Sequence, residues 1–309
     1  VCSSDLIHDM DEMVAFDAYQ RLHADGGLGL RVCKYIPSRD LDHALALHLR
    51  GGLGNDWLRI AGIKVMGDGA LGSRTAAMFE PYYGEPHNRG LLLVEPAYLE
   101  EMLRRAAIGG LPLAIHAIGD RANHVALNAL AAGSAAGPPL RHRIEHVQLL
   151  HPGDVGRLAG LGVIASVQPV HAIQDAPMAE RYWGERCRYA YAWRSLLDAG
   201  TVLAFGSDCP VEDLNPFLGI QAAVTRFSPE LDQAWYPEQR LTVEEAVRAY
   251  ALGAAYAAGL EDRLGSLSPG KLADLLVLDQ DIFEVEPSRI GDTKVMASVI
   301  GGQVAMSEE

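Results

Sequence analysis

Short apolar runs alternate along the chain with longer stretches of helical periodicity. The runs Ser4–Met10, Leu30–Ile36, Leu58–Met66, Leu111–Ile118, His142–Gln148, Gly162–Pro169 and Val202–Ser207 have strand length and strand composition. Between them the pattern predicts helices over Met10–Ala24, Arg39–Leu49, Pro96–Ile108, Arg121–Ala132, Pro152–Leu161, Met178–Ala199 and Pro216–Thr225. A further helix is expected over Thr242–Ala258, with Thr242 as N-cap and Glu245 completing a capping box. Such alternation is the signature of βα units around a parallel sheet.

The last stretch changes character. Leu264–Ser268, the Pro269-Gly270 turn, Asp274–Leu278 and Ala297–Ile300 predict short strands joined by tight turns. The division expected is a barrel-type unit over residues 1–260 and a small β unit over 261–309.

Composition narrows the class. The chain has 309 residues, and an α/β barrel occupies about 250. With 49% hydrophobic and 21% charged residues, wholesale disorder and coiled coil are excluded. No apolar run reaches the ~18 residues of a membrane helix. A net charge of −14, with scattered basic residues, argues against nucleic acid and anionic membranes as partners. Cys2, Cys33, Cys187 and Cys209 are far apart without a Cys-x-x-Cys pair, which favours free thiols and a reducing, cytoplasmic compartment.

Several of the strand-like runs end in side chains able to hold a metal: Lys64, His116, His146 and Asp208. In a barrel the strand C-termini converge on one face, so these distant residues meet in one pocket. The gaps of 52, 30 and 62 residues between them match one enlarged unit, one plain unit and two units, at about 31 residues each. That places them on strands four, five, six and eight. Imidazoles with a carboxylate suit a divalent transition metal such as zinc.

Other residues have two readings each. Asp120 either orients a ligand histidine or caps the following helix, and Arg74 either binds substrate or forms a surface ion pair. His171, after Gln168-Pro169, either lines the pocket or has a structural role. Glu145 points away from His146 on an alternating strand and is expected to be a polar packing residue. Tyr182, Trp183 and Trp193 form either an apolar lid or a helix core.

The phrases MGDGALGSRTA, IHAIGDRA, RIEHVQ, VQPVH and GSDCPVEDLNPF resemble the amidohydrolase superfamily, in the branch of YtcJ-like proteins and N-substituted formamide deformylases. The C-terminal SLSPGKLADLLVLDQD is similar to strands that complete a small β-sandwich in these hydrolases. The resemblance implies a (β/α)8 TIM-barrel metal-dependent hydrolase that carries one or two divalent metals, zinc foremost, and cleaves an amide-type C–N bond in a small molecule. It further implies that Lys64 is a carboxylated, bridging ligand, that His116 and His146 hold the second metal, and that Asp208 binds metal and takes a proton from the attacking water.

The family's His-x-His pair on the first strand has no counterpart here. Three strands before Lys64 need about 93 residues, and 63 precede it. The expectation is therefore a barrel lacking its first strand, with the C-terminal part of a composite β-sandwich, an incomplete two-metal site and impaired activity. The opening VCSSDL matches poorly beside IHDMDE, which suggests a junction within the first six residues and leaves the compartment open. Unpaired strand edges would favour self-association into a homo-oligomer. Two alternatives stand beside the hydrolase: a non-catalytic barrel remnant with one weak metal site, and a lyase using Lys64 as a Schiff-base nucleophile.

Overall fold

The computed structural model describes residues 6–10, 12–133 and 140–307. Its centre is a curled sheet of seven parallel strands in sequential order: β1 (Leu6–Asp9), β2 (Arg31–Pro37), β3 (Leu58–Met66), β4 (Leu113–Ala117), β5 (Arg143–His146), β6 (Ile164–Val167) and β7 (Leu203–Phe205). Six fall within the runs expected from the sequence, and β2 extends one residue beyond its run, to Pro37. Residues 1–5, including Cys2 and most of the suspected junction, lie outside the described residues. The architecture is TIM-barrel-like, with βα crossovers placing helices outside the sheet.

Among the described residues ten α-helices occur, in chain order: α1 (Met13–Ala24), α2 (Leu41–Ala46), α3 (Pro96–Ile108), α4 (Asp120–Gly133), α5 (Val155–Gly160), α6 (Pro169–Trp183), α7 (Trp193–Asp198), α8 (Pro216–Thr225), α9 (Val243–Arg248) and α10 (Ala254–Ala258). The single helix expected over Met178–Ala199 is not formed. Pro169, free of any N–H to satisfy, opens α6 nine residues earlier, and Gly184 at φ 56° closes it. A 3-10 turn over Gly184–Tyr189 leads on to α7. Trp183 and Trp193 are fully buried, so they belong to the core and not to a lid. The Thr242 capping box is present, but a π-turn over Ala249–Gly253 splits the helix it starts.

Among the described residues β1 and β7 do not pair with each other. Instead α10 packs against both. Its approach to β7 is so close that a Cβ on Gly253 would lie 2.0 Å from the Leu203 carbonyl oxygen, so only glycine fits there. On the other side the His8 imidazole donates through Nε2 to the Ala254 carbonyl at 3.2 Å. Its Nδ1 accepts from Arg143 Nη1 at 2.7 Å, linking β1 to β5 across the interior.

The small β unit is one antiparallel sheet of β10 (Leu275–Leu278), β11 (Val295–Ile300) and β12 (Gln303–Ser307). A separate two-stranded ribbon, β8 (Phe227–Ser228) with β9 (Gln233–Ala234), lies before α9. The strand expected over Leu264–Ser268 is a bend running into irregular chain, with Gly265 at φ 81° set against the Ala249–Gly253 π-turn and α10. The second layer of a sandwich is not seen among the described residues. No helix among them is long and apolar enough to cross a membrane.

The three-stranded sheet is fastened by a buried pair. Arg31 at the start of β2 donates from Nε and Nη2 to both oxygens of Asp274, at 2.6 and 2.9 Å. Asp274 also accepts from Gly301 N at 2.6 Å, on the β11–β12 turn. Removing one partner of such a pair strands the other charge in a dry site. Asp274→Ala is therefore expected to destabilise the chain by about 3–5 kcal/mol, read as a lowered urea midpoint.

A second expectation concerns pH. Burial lowers the pKa of His142 to about 4, and its Nδ1 accepts from Leu113 N at 3.1 Å, which requires the neutral ring. The folded pKa lies below the unfolded one, so this group's contribution is complete above pH ~6.5 and is lost as pH falls toward 4. The stability gap between the wild type and His142→Gln should accordingly narrow from pH 7.5 to pH 5 in urea titrations. A gap that widens on acidification contradicts it.

Candidate metal centre

Parallel strands deliver their last residues to one rim, and three of the four expected metal ligands arrive there from β4, β5 and the β7 loop. His116 is the fourth residue of β4, His146 the last of β5, and Asp208 lies three residues beyond β7. His146 and Asp208 have φ of 75° and 60°, and Val147 has 46°. A non-glycine side chain adopts this region at a cost of order 1–3 kcal/mol, and such positions concentrate at functional sites.

One ligand atom from each of His146, His171 and Asp208 lies within 4.8 Å of the other two. His171, left between two readings by the sequence, is thus part of the site, carried in by the first turn of α6. Its Nε2 is 3.4 Å from Asp208 Oδ2, and its Nδ1 donates to Glu212 Oε1 at 2.9 Å. His116 stands edge-on to His146, with ring centroids 4.5 Å apart. Lys64 pairs through its backbone on β3, and among the described residues its amine has no hydrogen-bond or ion-pair partner.

Each imidazole has one nitrogen tied down. His146 Nδ1 donates to Gln168 Oε1 at 3.0 Å, and His116 Nε2 donates to the Gly69 carbonyl at 3.0 Å. The opposite nitrogens, Nε2 of His146 and Nδ1 of His116, therefore keep their lone pairs. This is the pattern in which metal-binding histidines are held. Burial also keeps the rings neutral: it lowers His116 to about 4, and it lowers His146 well below the ordinary value with help from the neighbouring His116 and Lys64 charges. For His171 burial again acts downward, but hydrogen bonds to Asp208 and Glu212 outweigh it and raise the pKa.

Lys64 is pulled below its ordinary value, first by burial, while the charges of Glu145 and Asp208 oppose that and Arg143 adds to it. Glu145, expected to be a polar packing residue, is 3% exposed and lies 2.5 Å from Arg143 Nε, on the same face of β5 as that residue. A Schiff-base lysine needs an apolar pocket, and the carboxylates around Lys64 argue against that role.

Two further expectations resolve toward structure. Asp120 accepts from Phe79 N and Arg121 N, both at 2.9 Å, so it fastens a loop and caps α4 without touching a histidine. Arg74 pairs through Nε with Glu85 Oε1 at 2.5 Å and lies over the Tyr182 ring, a loop contact in place of a free substrate cation. Sequence reasoning missed Gln168, Glu212 and Asp68. All three stood inside quoted motifs, VQPVH, GSDCPVEDLNPF and MGDGALGSRTA, and Asp68 is the aspartate of Gly-Asp-Gly two residues beyond β3.

A parallel α/β sheet with neutral imidazoles and a carboxylate gathered at its strand ends defines the class of metal-dependent hydrolases built on barrels. The chain belongs to the amidohydrolase family, whose model matches residues 8–306. It is 39% identical over 292 residues to the Arabidopsis thaliana protein LONG AFTER FAR-RED 3, covering 93% of this chain and 50% of that one. Over 308 residues it is 33% identical to the putative amidohydrolase YtcJ of Bacillus subtilis, covering 98% and 57%. An N-substituted formamide deformylase from Arthrobacter pascens is 30% identical over 209 residues, 66% of this chain and 38% of that one. The crystal structure of an uncharacterized metal-dependent hydrolase from Pyrococcus furiosus superposes with a TM-score of 0.80 at 34% identity, covering 90% and 56%. The chain thus spans about half the length of these two curated relatives.

Proposed function

We propose that this chain carries the metal site of a hydrolase that cleaves an amide-type C–N bond in a small molecule. The observation that carries the reading is the convergence of His146, His171 and Asp208 within 4.8 Å, beside His116, with the remote nitrogens of the rings held by acceptors. Nitrogen and carboxylate donors in this number suit zinc. His146, Asp208 and His116 or His171 would hold one ion. Lys64, carboxylated on its amine, would serve a second.

Bound metal supplies a water acidic enough to yield hydroxide near neutral pH. The remaining chemistry belongs to the protein. Asp208, 40% exposed on its side chain, is placed to take the proton from the attacking water and return it to the leaving nitrogen. Glu212, behind His171, holds that ring's orientation. The deformylase among the relatives supports an N-acyl or N-formyl amide as substrate class. A net charge of −14 supports a neutral or cationic small molecule over nucleic acid.

The test is zinc titration of the chain by calorimetry, followed by assay of a panel of N-formyl and N-acyl amides. Zinc binding and hydrolysis are expected, and Asp208→Asn should lower kcat by about 10²–10⁴-fold, the usual worth of a positioned acid–base group, with KM little changed. A chain that takes up no zinc and hydrolyses none of the panel overturns the reading. His146→Asn should abolish zinc binding. If His171→Asn leaves zinc affinity intact, the ligand set is His116, His146 and Asp208.

A further inference from the structure

Asp68 stands two residues beyond β3, at the root of the long loop that leads to α3, and is fully buried. Its carboxylate accepts three backbone N–H bonds. Oδ2 takes those of Ala77 at 2.9 Å and Gly119 at 2.9 Å, and Oδ1 takes that of Ile118 at 3.0 Å. Ala77 lies in the loop after β3, whereas Ile118 and Gly119 follow β4. The one side chain therefore clamps two neighbouring strand ends together. Gly119 has to be glycine in this clamp, because a Cβ there would lie 2.0 Å from the Ala77 carbonyl oxygen.

The clamp bears on His116. Its Nε2 is 3.0 Å from the carbonyl oxygen of Gly69, the residue next to Asp68, and 3.4 Å from Asp68 Oδ1. Both oxygens are acceptors, so a proton on Nε2 is stabilised and a lone pair there is repelled. An amide in place of the carboxylate would turn an NH2 toward backbone N–H groups, since both oxygens face donors. Asp120 provides the comparison. It too is buried and fastens the same loop, through Phe79 N, yet has no contact with His116.

We propose that Asp68 is a positioning residue of the site, acting through His116: with the Gly69 carbonyl it fixes the imidazole as the Nε2–H tautomer, so that Nδ1 presents its lone pair to the metal. The proposal rests on the metal reading above for its consequence, and on geometry alone for the tautomer. Loss of an outer partner of this kind lowers metal affinity by roughly 10–100-fold.

The experiment uses the metal-free chain labelled with 15N-histidine, with His116 assigned by comparison with His116→Gln. Wild type should show His116 as a single Nε2–H tautomer at pH 7.5. Asp68→Asn should show a mixture of tautomers and zinc affinity reduced by roughly 10–100-fold, while Asp120→Asn should change neither. A proton on Nδ1 in the wild type overturns the proposal, as does an unchanged tautomer in Asp68→Asn. An equal loss of zinc affinity in Asp120→Asn also overturns it, because loop order alone would then account for the effect. The wild-type measurement needs no variant, so an Asp68→Asn chain that does not fold leaves the test standing. Absence of zinc binding by the wild type would count against the metal reading alone, and the tautomer still decides the role of Asp68.

Discussion

Arg143 carries a positive charge into the interior of the curled sheet, where it is 1% exposed, and the surrounding elements are arranged to answer it. Glu145 supplies the counter-charge at 2.5 Å, the Tyr35 ring lies 4.5 Å from the guanidinium carbon, and His8 accepts from Nη1. Burial works against the charge, and Glu145 and Tyr35 outweigh it. A buried ion pair adds little net stability, but breaking it leaves an uncompensated charge, so the strands that supply its partners are held in one register. Those strands are β1, β2 and β5. Through His8 the same network reaches α10, which packs against both β1 and β7.

The interior charges also set the electrostatic floor of the site. Glu145 acts on Lys64 and on His116, and Arg143 acts on Lys64 in the opposite sense. Above this floor the rim residues are strained outward, with positive φ at His146, Val147 and Asp208. Ladder pairing and core packing on either side restrain the backbone, because Ile144, Val147 and Leu149 are buried in the main core. The scaffold thus absorbs the cost of aiming His146 and Asp208 at a common point.

Strand positions were legible because apolar runs of strand length bounded by turns leave few alternatives, and the rim residues were legible because they end those runs. The helix break at Gly184 was not, because a lone glycine inside a helical pattern reads equally as a tolerated interior residue or as a stop. His171 could be placed only once α6 was known to begin at Pro169, which brings its first turn to the rim. Asp68, Gln168 and Glu212 act through partners distant in sequence or fixed by loop geometry. Composition and periodicity carry no trace of such pairings.

The distribution of charge works against protons in the site. The rings of His116 and His146, together with the Lys64 amine, all have lowered pKa values with burial as the first cause; Lys64 opposes protonation of both rings, and His116 opposes that of His146. Protonation of either ring near neutral pH would put a charge into a dry pocket already facing Lys64. A metal ion meets the same desolvation cost but repays it through several donors at once, including the Asp208 carboxylate, whereas a proton binds one atom. His171 departs from this pattern in the expected direction. It is the ring with two carboxylates at its nitrogens, and its pKa is raised. The imidazoles of His116 and His146 are therefore free to act as ligands near neutral pH without first losing a proton, and the acceptors behind them, Gly69 and Gln168, determine which nitrogen faces the site.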